Sequence, residues 1–493
     1  MSDNIPDFLE DNPLAEVLAT GTVGGGAPIL NRSMKEYLAW TVDHGWLKWD
    51  GKVWRRIAEP VAIEMVRREL QALFTSLLNG GEKSPERVNL LKRLLSKRKA
   101  ADVTYFLKGL LTVKAEKWDS APDLLNAQNG VIDLRAGALL PHSWKYRMTK
   151  ISPVEFHADA THPDWTAALG AADDPDYLQL RFGQAATGYP VDDDRIPFQI
   201  GGGANGKSTM VNAVMRALGD YAVGAPVQTL LGNAGDHPTE LMVLKGARLA
   251  VVEELPEGKH LPSRRLKELA GTATVKARRM RSDFEEFPAT HSMFVNSNFI
   301  PQVSDVDEGT WRRLMMVKYR KHFIHPSEPI LSPNDVHGDP SLRERLAASE
   351  DGQLEAVLAW IVAGSRRWYE TRSLRSTPWP FSIQADTQKW REEADLVIAY
   401  ARERLAFTVG SAVLVKELFD DFNQWLSDTG RQPVSMGTFK NKFEGHSLFA
   451  ASNVELREKA RPSANLTRRR GVRGLGVIET PAQAHLYLGV AFT

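Results

Sequence analysis

The stretch Ile196-Pro-Phe-Gln-Ile-Gly-Gly-Gly-Ala-Asn-Gly-Lys-Ser-Thr-Met210 decides how this chain reads. It fits the pattern G-x-x-x-x-G-K-[ST], with Gly201, Gly206, Lys207 and Ser208 at the fixed positions. An apolar run, Ile196 to Ile200, precedes the glycines. A helix-like run, Ser208 to Leu218, follows them and stops at Gly219. The glycines therefore fall where a strand turns into a helix. Glycine lets the backbone wrap close to phosphate, and a helix N-terminus offers unpaired N–H groups and a positive dipole end. The pattern predicts that Gly201, Gly202, Gly203, Ala204, Asn205, Gly206, Lys207, Ser208 and Thr209 cradle ATP. Lys207 is expected to neutralise the β- and γ-phosphates, and the Ser208 hydroxyl to ligate Mg2+.

Working outward, 493 residues suggest two to four domains. A hydrophobic content of 43% with 25% charged residues is that of an ordinary globular protein. With a net charge of +1, any nucleic-acid surface has to be local. The absence of cysteine excludes disulfides, a thiol nucleophile and Cys-ligated zinc, and suits a cytoplasmic setting. The N-terminus has no secretory pattern and no apolar run approaches membrane-spanning length, so no membrane partner is expected.

Residues 1–30 read as a flexible lead-in, rich in Gly and Ala from Gly21 to Gly26. Residues 31–120 read as a small helical N-terminal domain with one β-hairpin, centred on Asp50-Gly51 and packed by Trp46, Trp49 and Trp54. The basic run Lys92 to Lys99 reads as a solvated helix face. A helical domain is expected over 121–190, and Asp192, Asp193 and Asp194 read as a solvated turn. Over 191–325 strands and helices alternate, as in a P-loop α/β domain. A helical segment and linker follow over 326–394. Residues 395–493 read as a winged-helix-like DNA-binding domain, with Lys440 and Lys442 on a helix and Arg468, Arg469, Arg470 and Arg473 in a candidate wing. From Arg431 onward ten Lys and Arg stand against four Glu, a local net of +6.

A hydrolytic site of this kind needs carboxylates for the Mg2+ shell and for the attacking water. Glu253 and Glu254 follow the apolar run Ala247 to Val252 and can supply both, with Glu253 toward the metal. Asn298, or else Asn296, in the stretch that follows the apolar run Ser292 to Val295, can sense the γ-phosphate. Arg312 or Arg313 can meet the transition-state charge.

Taken in order, Gly203-Ala-Asn-Gly-Lys-Ser-Thr209, Arg248 to Glu254, Leu266 to Arg279, Asn298 and Asp307-Glu-Gly-Thr-Trp-Arg-Arg313 resemble the superfamily 3 helicases, in particular the phage/plasmid primase–helicase branch with the poxvirus-type enzymes. The resemblance implies an α/β P-loop AAA+ ATPase core assembled as a homo-oligomeric ring, usually a hexamer, that moves 3′ to 5′ on single-stranded DNA and opens forked DNA. It places the arginine finger at Arg312 or Arg313, acting on a neighbouring subunit. It places a DNA-gripping hairpin over 274–287, with Lys276, Arg278, Arg279 and Arg281 tracking the backbone. Family members often carry a primase module; the residues before 120 are too few for one, so a separate primase or polymerase is the expected partner. An origin-binding initiator or loader, using ATP as an assembly switch, is the alternative.

Overall fold

The structure, a computed structural model, describes residues 23–79, 85–232, 239–280, 283–303, 308–462, 465–468 and 481–493. Its centre is a parallel five-stranded sheet: β1 (Ile196–Ile200), β2 (Ala222–Ala225), β3 (Leu249–Glu253), β4 (Ser292–Ser297) and β5 (Leu314–Lys318), in the order β5-β1-β4-β3-β2. A parallel sheet is covered on both faces, which is why its inner strands β1, β3 and β4 are buried along nearly their whole length instead of alternating. Val251, Phe294 and Met315 enter one core with Val211, Phe182 and Ile361. Phe198, Val252 and Val295 enter the other with Leu266, Trp311 and Trp390. After the glycine loop, β1 leads into α1 (Lys207–Leu218), whose inward face is Met210, Val211, Val214, Ala217 and Leu218.

Ahead of this sheet lies an antiparallel three-stranded sheet, Leu38–Thr41, Gly45–Trp49 and Trp54–Ile57, with helices Val23–Met34, Glu59–Asn79, Pro85–Leu94 and Lys97–Leu110. The Asp50-Gly51 turn forms as expected. Gly51 takes φ 100°, and Asp50 Oδ1 accepts from the N–H groups of Lys52 and Val53 at 2.8 Å each. Trp46 and Trp54 are buried. The glycine-rich lead-in is helical from Val23, because Leu30 and Met34 find a core against Val66, Val103 and Leu107.

Residues 121–190 begin with a three-stranded sheet, Leu124–Ala127, Gly130–Asp133 and Ala138–Leu140, before helices Pro163–Leu169 and Pro175–Ala186. Helix Pro175–Ala186 crosses helix Gln353–Thr371 through two glycines. A Cβ on Gly183 would lie 2.1 Å from the Gly364 carbonyl carbon, and one on Gly364 would lie 2.0 Å from Gln179 O. Asp193 corrects the solvated-turn reading: it is buried and pairs at 2.6 Å with Arg181, itself buried. Asp192 accepts from Ser373 and from the Leu374 N–H, so this turn ties the sheet to the helical segment.

At the C-terminus, helix Leu396–Arg404, strand Leu405–Leu414, helices Val415–Asp428, Met436–Glu444 and Ser447–Ala451, and strands Glu455–Ala460 and Ala484–Phe492 follow in order, around a core of Phe422, Phe439, Phe443 and Tyr487. Among the described residues no helix is long and apolar enough to cross a membrane.

Candidate active site

Three neighbouring strands deliver the predicted groups to one end of the sheet. Strand β4 lies between β1 and β3, so the glycine loop, the carboxylates and Asn298 leave adjacent carboxyl ends, the position where open α/β sheets collect ligands. They line a cavity of about 260 Å3 that includes Gly203 to Thr209, Glu253, Glu254, Asn296, Ser297 and Asn298.

The loop's backbone requires its small residues. A Cβ on Gly201 would fall 1.8 Å from Asn205 Nδ2, and one on Gly206 would fall 2.6 Å from the Ala171 methyl. Gly203, Ala204 and Gly206 have φ of 99°, 44° and 74°. Glu254 is likewise left-handed, with φ 57°, and its N–H is held by Asn296 O at 3.0 Å. Non-glycine residues in that region carry backbone strain, which concentrates at functional sites.

Lys207 is buried. Its Nζ donates to Ser297 O at 2.7 Å and to Asn298 Oδ1 at 3.4 Å. Burial pushes its pKa down to about 8, against the pull of Glu254 and Glu253. Asn205 Oδ1 accepts from the Lys207 N–H at 3.3 Å, while Asn205 Nδ2 is buried with no partner among the described residues. Asn296 accepts from Gln199 at 3.1 Å, and its own Nδ2 is also buried without a partner among the described residues. A desolvated ammonium, unsatisfied amide donors, glycine backbone and the first turn of α1 make a donor-rich cradle that suits phosphate oxygens. Ser208, Glu253, Glu254 and Asn298 are exposed to the cavity side of the fold. Among the described residues no preformed cluster of three or more metal-ligating side chains exists, so a cation here would need phosphate oxygens to complete its shell.

The two arginines separate. Arg313 is buried; it donates to Ala270 O at 3.2 Å and to Gly309 O, and its own carbonyl accepts from Ile196 N–H. Its guanidinium is thus engaged by its own chain, which makes it the less accessible of the two candidate fingers. Arg312 is about half exposed and pairs with Asp194 at 3.5 Å. Both sit by the first residue of β1, a strand's length of about 16 Å from the loop at its other end. Neither lines its own chain's cavity.

Arg343 does line it, and sequence reasoning missed it. It stands on helix Leu342–Ala348, whose neighbour Arg345 is anchored at 2.6 Å to Asp164. No motif marks it.

The expected hairpin forms: Thr274–Arg278 pairs antiparallel with Phe284–Pro288. Val275, Ala277 and Phe287 anchor one face in the core. Lys276 is exposed but lies 3.6 Å from Glu286; Arg278 stacks 5.2 Å over Phe284; Arg279 is exposed. Arg281 lies outside the described residues, as do Arg469, Arg470 and Arg473. Lys440 and Lys442 are half-buried on helix Met436–Glu444. Arg468 is held by Glu417, which compensates its charge.

Residues 28–172 match the family model described as D5 N terminal like, and residues 199–313 match a family of unknown function (DUF5906). C962R of African swine fever virus (strain Badajoz 1971 Vero-adapted), provisionally named a primase, is 25% identical over 234 residues, 46% of this chain and 24% of that protein. The provisionally named helicase 022R of Frog virus 3 (isolate Goorha) is 27% identical over 247 residues, 48% of this chain and 24% of that protein. The chain thus spans about a quarter of the length of these curated relatives. Among solved structures, the apo A form of the NrS-1 C-terminal region superposes with a TM-score of 0.44 at 10% identity, covering 94% of this chain and 98% of that one. The sequence matches support kinship with viral proteins named primase or helicase.

Proposed function

We propose that this chain is an ATP-driven DNA motor of replication, a superfamily 3 AAA+ helicase that works as a ring. The observation that carries the reading is the convergence of Lys207, Glu253, Glu254 and Asn298 on one cavity from three adjacent strands. The names of the viral relatives support a replication role in general. Bound ATP with Mg2+ would supply the scissile phosphoanhydride and a Lewis acid. Lys207 would hold positive charge against the phosphates, Ser208 and Glu253 would hold the cation, Glu254 would take the proton of the attacking water, and Asn298 would sense the γ-phosphate. Arg312, exposed and far from its own cavity, is the better-placed group to complete the site of a neighbouring copy. Arg279 on the exposed hairpin is the better-placed cation to follow a DNA backbone.

Unwinding of a labelled forked duplex tests the reading. ATP-dependent strand displacement, lost in Lys207→Ala, is the expected result. ATP-dependent binding without displacement would favour the second reading, an origin-binding initiator, which the C-terminal order of helix, strand, three helices and two strands supports, together with the basic excess from Arg431 onward.

A further inference from the structure

The N-terminal module has a surface that the motor reading does not use. Residues 23–118 hold 18 Lys and Arg against 10 Asp and Glu, a net of +8 in a chain whose total is +1. That excess is larger than the one at the C-terminus. Helix Lys97–Leu110 buries Ala100, Val103, Thr104 and Leu107. Its opposite side carries Tyr105 at 74% exposure, Phe106 at 53% and Leu110 at 50%. The two rings meet edge to face at 5.9 Å. Exposed aromatic pairs of this size are unusual on a solvated helix and mark a binding surface.

The cations are arranged around the rings. Arg98 lies two turns before Tyr105 on the same helical stripe, and Lys108 lies one turn after it. Lys108 Nζ sits 4.2 Å over the Trp40 ring. Lys108 and Trp40 in turn line a cavity of about 480 Å3 together with Arg56, His44 and Glu59. Of the nearby acids, Asp102 is paired with Lys99 at 3.6 Å and Asp43 with Lys245 at 2.8 Å. Stacking surfaces flanked by cations suit an unpaired polynucleotide: bases stack on rings without regard to sequence, and phosphates track the charges.

We propose that the Tyr105–Phe106 face, with Arg98, Lys108 and the adjoining Trp40–Arg56 cavity, is a single-stranded DNA-binding surface that works without nucleotide. It stands independently of the ATPase reading, since none of its residues belongs to that site.

The test is fluorescence anisotropy of labelled oligo-dT with the full chain and no nucleotide. Tyr105→Ala with Phe106→Ala should weaken binding about 10-fold or more, since each base–ring stack contributes about 1–3 kcal/mol. Both rings are exposed, so the variant's melting temperature should stay that of the parent. Arg98→Gln with Lys108→Gln should weaken binding and flatten its salt dependence. Tyr105→Trp should retain affinity, and its tryptophan emission should be quenched as oligo-dT is added. Unchanged affinity in the Tyr105/Phe106 variant overturns the proposal. So does a smaller assembly by sedimentation with affinity per protomer unchanged, which would make the face an interface between copies. Lys207→Ala should keep this binding while losing hydrolysis; binding in a parent chain that hydrolyses nothing would overturn the motor and leave this surface standing.

Discussion

The ammonium of Lys207 rests 2.7 Å from the carbonyl oxygen of Ser297, at the end of the neighbouring strand. The loop lysine is thus docked within the protein, in a buried position that lowers its pKa to about 8 from 10.5. Between about pH 8 and 10.5 the unfolded chain holds more protons at this site than the folded one, so the contribution of Lys207 to stability rises with pH across that window. Below it both states are charged and the burial penalty is fully present. Denaturant unfolding of the nucleotide-free protein at pH 7.5 and 9.5 should show the parent gaining stability relative to Lys207→Met. Affinity for a fluorescent ATP analogue should move oppositely, falling as pH rises through about 8, because the neutral amine no longer attracts phosphate.

Glu254 takes a left-handed backbone, φ 57°, at the mouth of the cavity. If its carboxylate is the base for water, Glu254→Gln should bind the ATP analogue with parent affinity and hydrolyse about 10²–10⁴-fold more slowly. Glu253→Gln should instead raise the Mg2+ concentration needed for half-maximal turnover. Equal turnover in parent and Glu254→Gln would remove the base assignment.

Arg343 lines the same cavity from helix Leu342–Ala348. Arg343→Ala should weaken nucleotide binding about 10-fold, a loss of about 1.4 kcal/mol, the size of one charge-assisted hydrogen bond. Arg345→Ala should produce a different effect. Its ion pair with Asp164 holds the helix in place, so that variant should lower the melting temperature as well.

The local parts of this architecture were legible. The strand–loop–helix unit is written in consecutive residues, and β3, β5 and the centre of β4 (Met293 to Val295) are apolar because both faces of a parallel sheet are covered. Strand β2, Ala222-Val-Gly-Ala225, was not legible: small residues with a glycine carry no strand signal. Asp193 reads as solvent-facing because its partner, Arg181, lies on the preceding helix and meets it only through tertiary packing. Arg312 and Arg313 are equivalent as text; which one turns inward depends on the carbonyls of Gly309 and Ala270. Arg343 comes to the site from a separate helix with no motif of its own. Gly183 and Gly364 interrupt helical runs, a signal that could have exposed their crossing.

That crossing makes a stability prediction. Gly364→Ala sets a methyl 2.0 Å from Gln179 O, and backbone cannot yield as a flexible side chain can. The helices have to separate, at a cost of about 1–3 kcal/mol or more. Circular dichroism melts should show a lower melting temperature for Gly364→Ala, while Gly202→Ala, where nothing lies within 4 Å, should melt with the parent.

Arg312 and Arg313 give the sharpest test of assembly. Arg313→Ala strips two backbone carbonyls of a buried guanidinium, so it should destabilise the fold by about 1–3 kcal/mol per carbonyl left without a partner, and lose activity with the fold. Arg312→Ala removes a half-exposed side chain paired with Asp194 and should leave the melting temperature nearly unchanged. If Arg312 serves a neighbouring subunit, its loss should slow hydrolysis by about 10³-fold or more at normal ATP affinity. Mixing Arg312→Ala with Lys207→Ala should then restore activity: in mixed rings some sites pair an intact Lys207 with an intact Arg312 from the next copy. Titration of the two variants against each other should give a maximum near equal amounts. A flat titration, with Arg312→Ala alone fully active, would place the charge that completes the site elsewhere, and Arg343, already inside the cavity of its own chain, would become the group to examine.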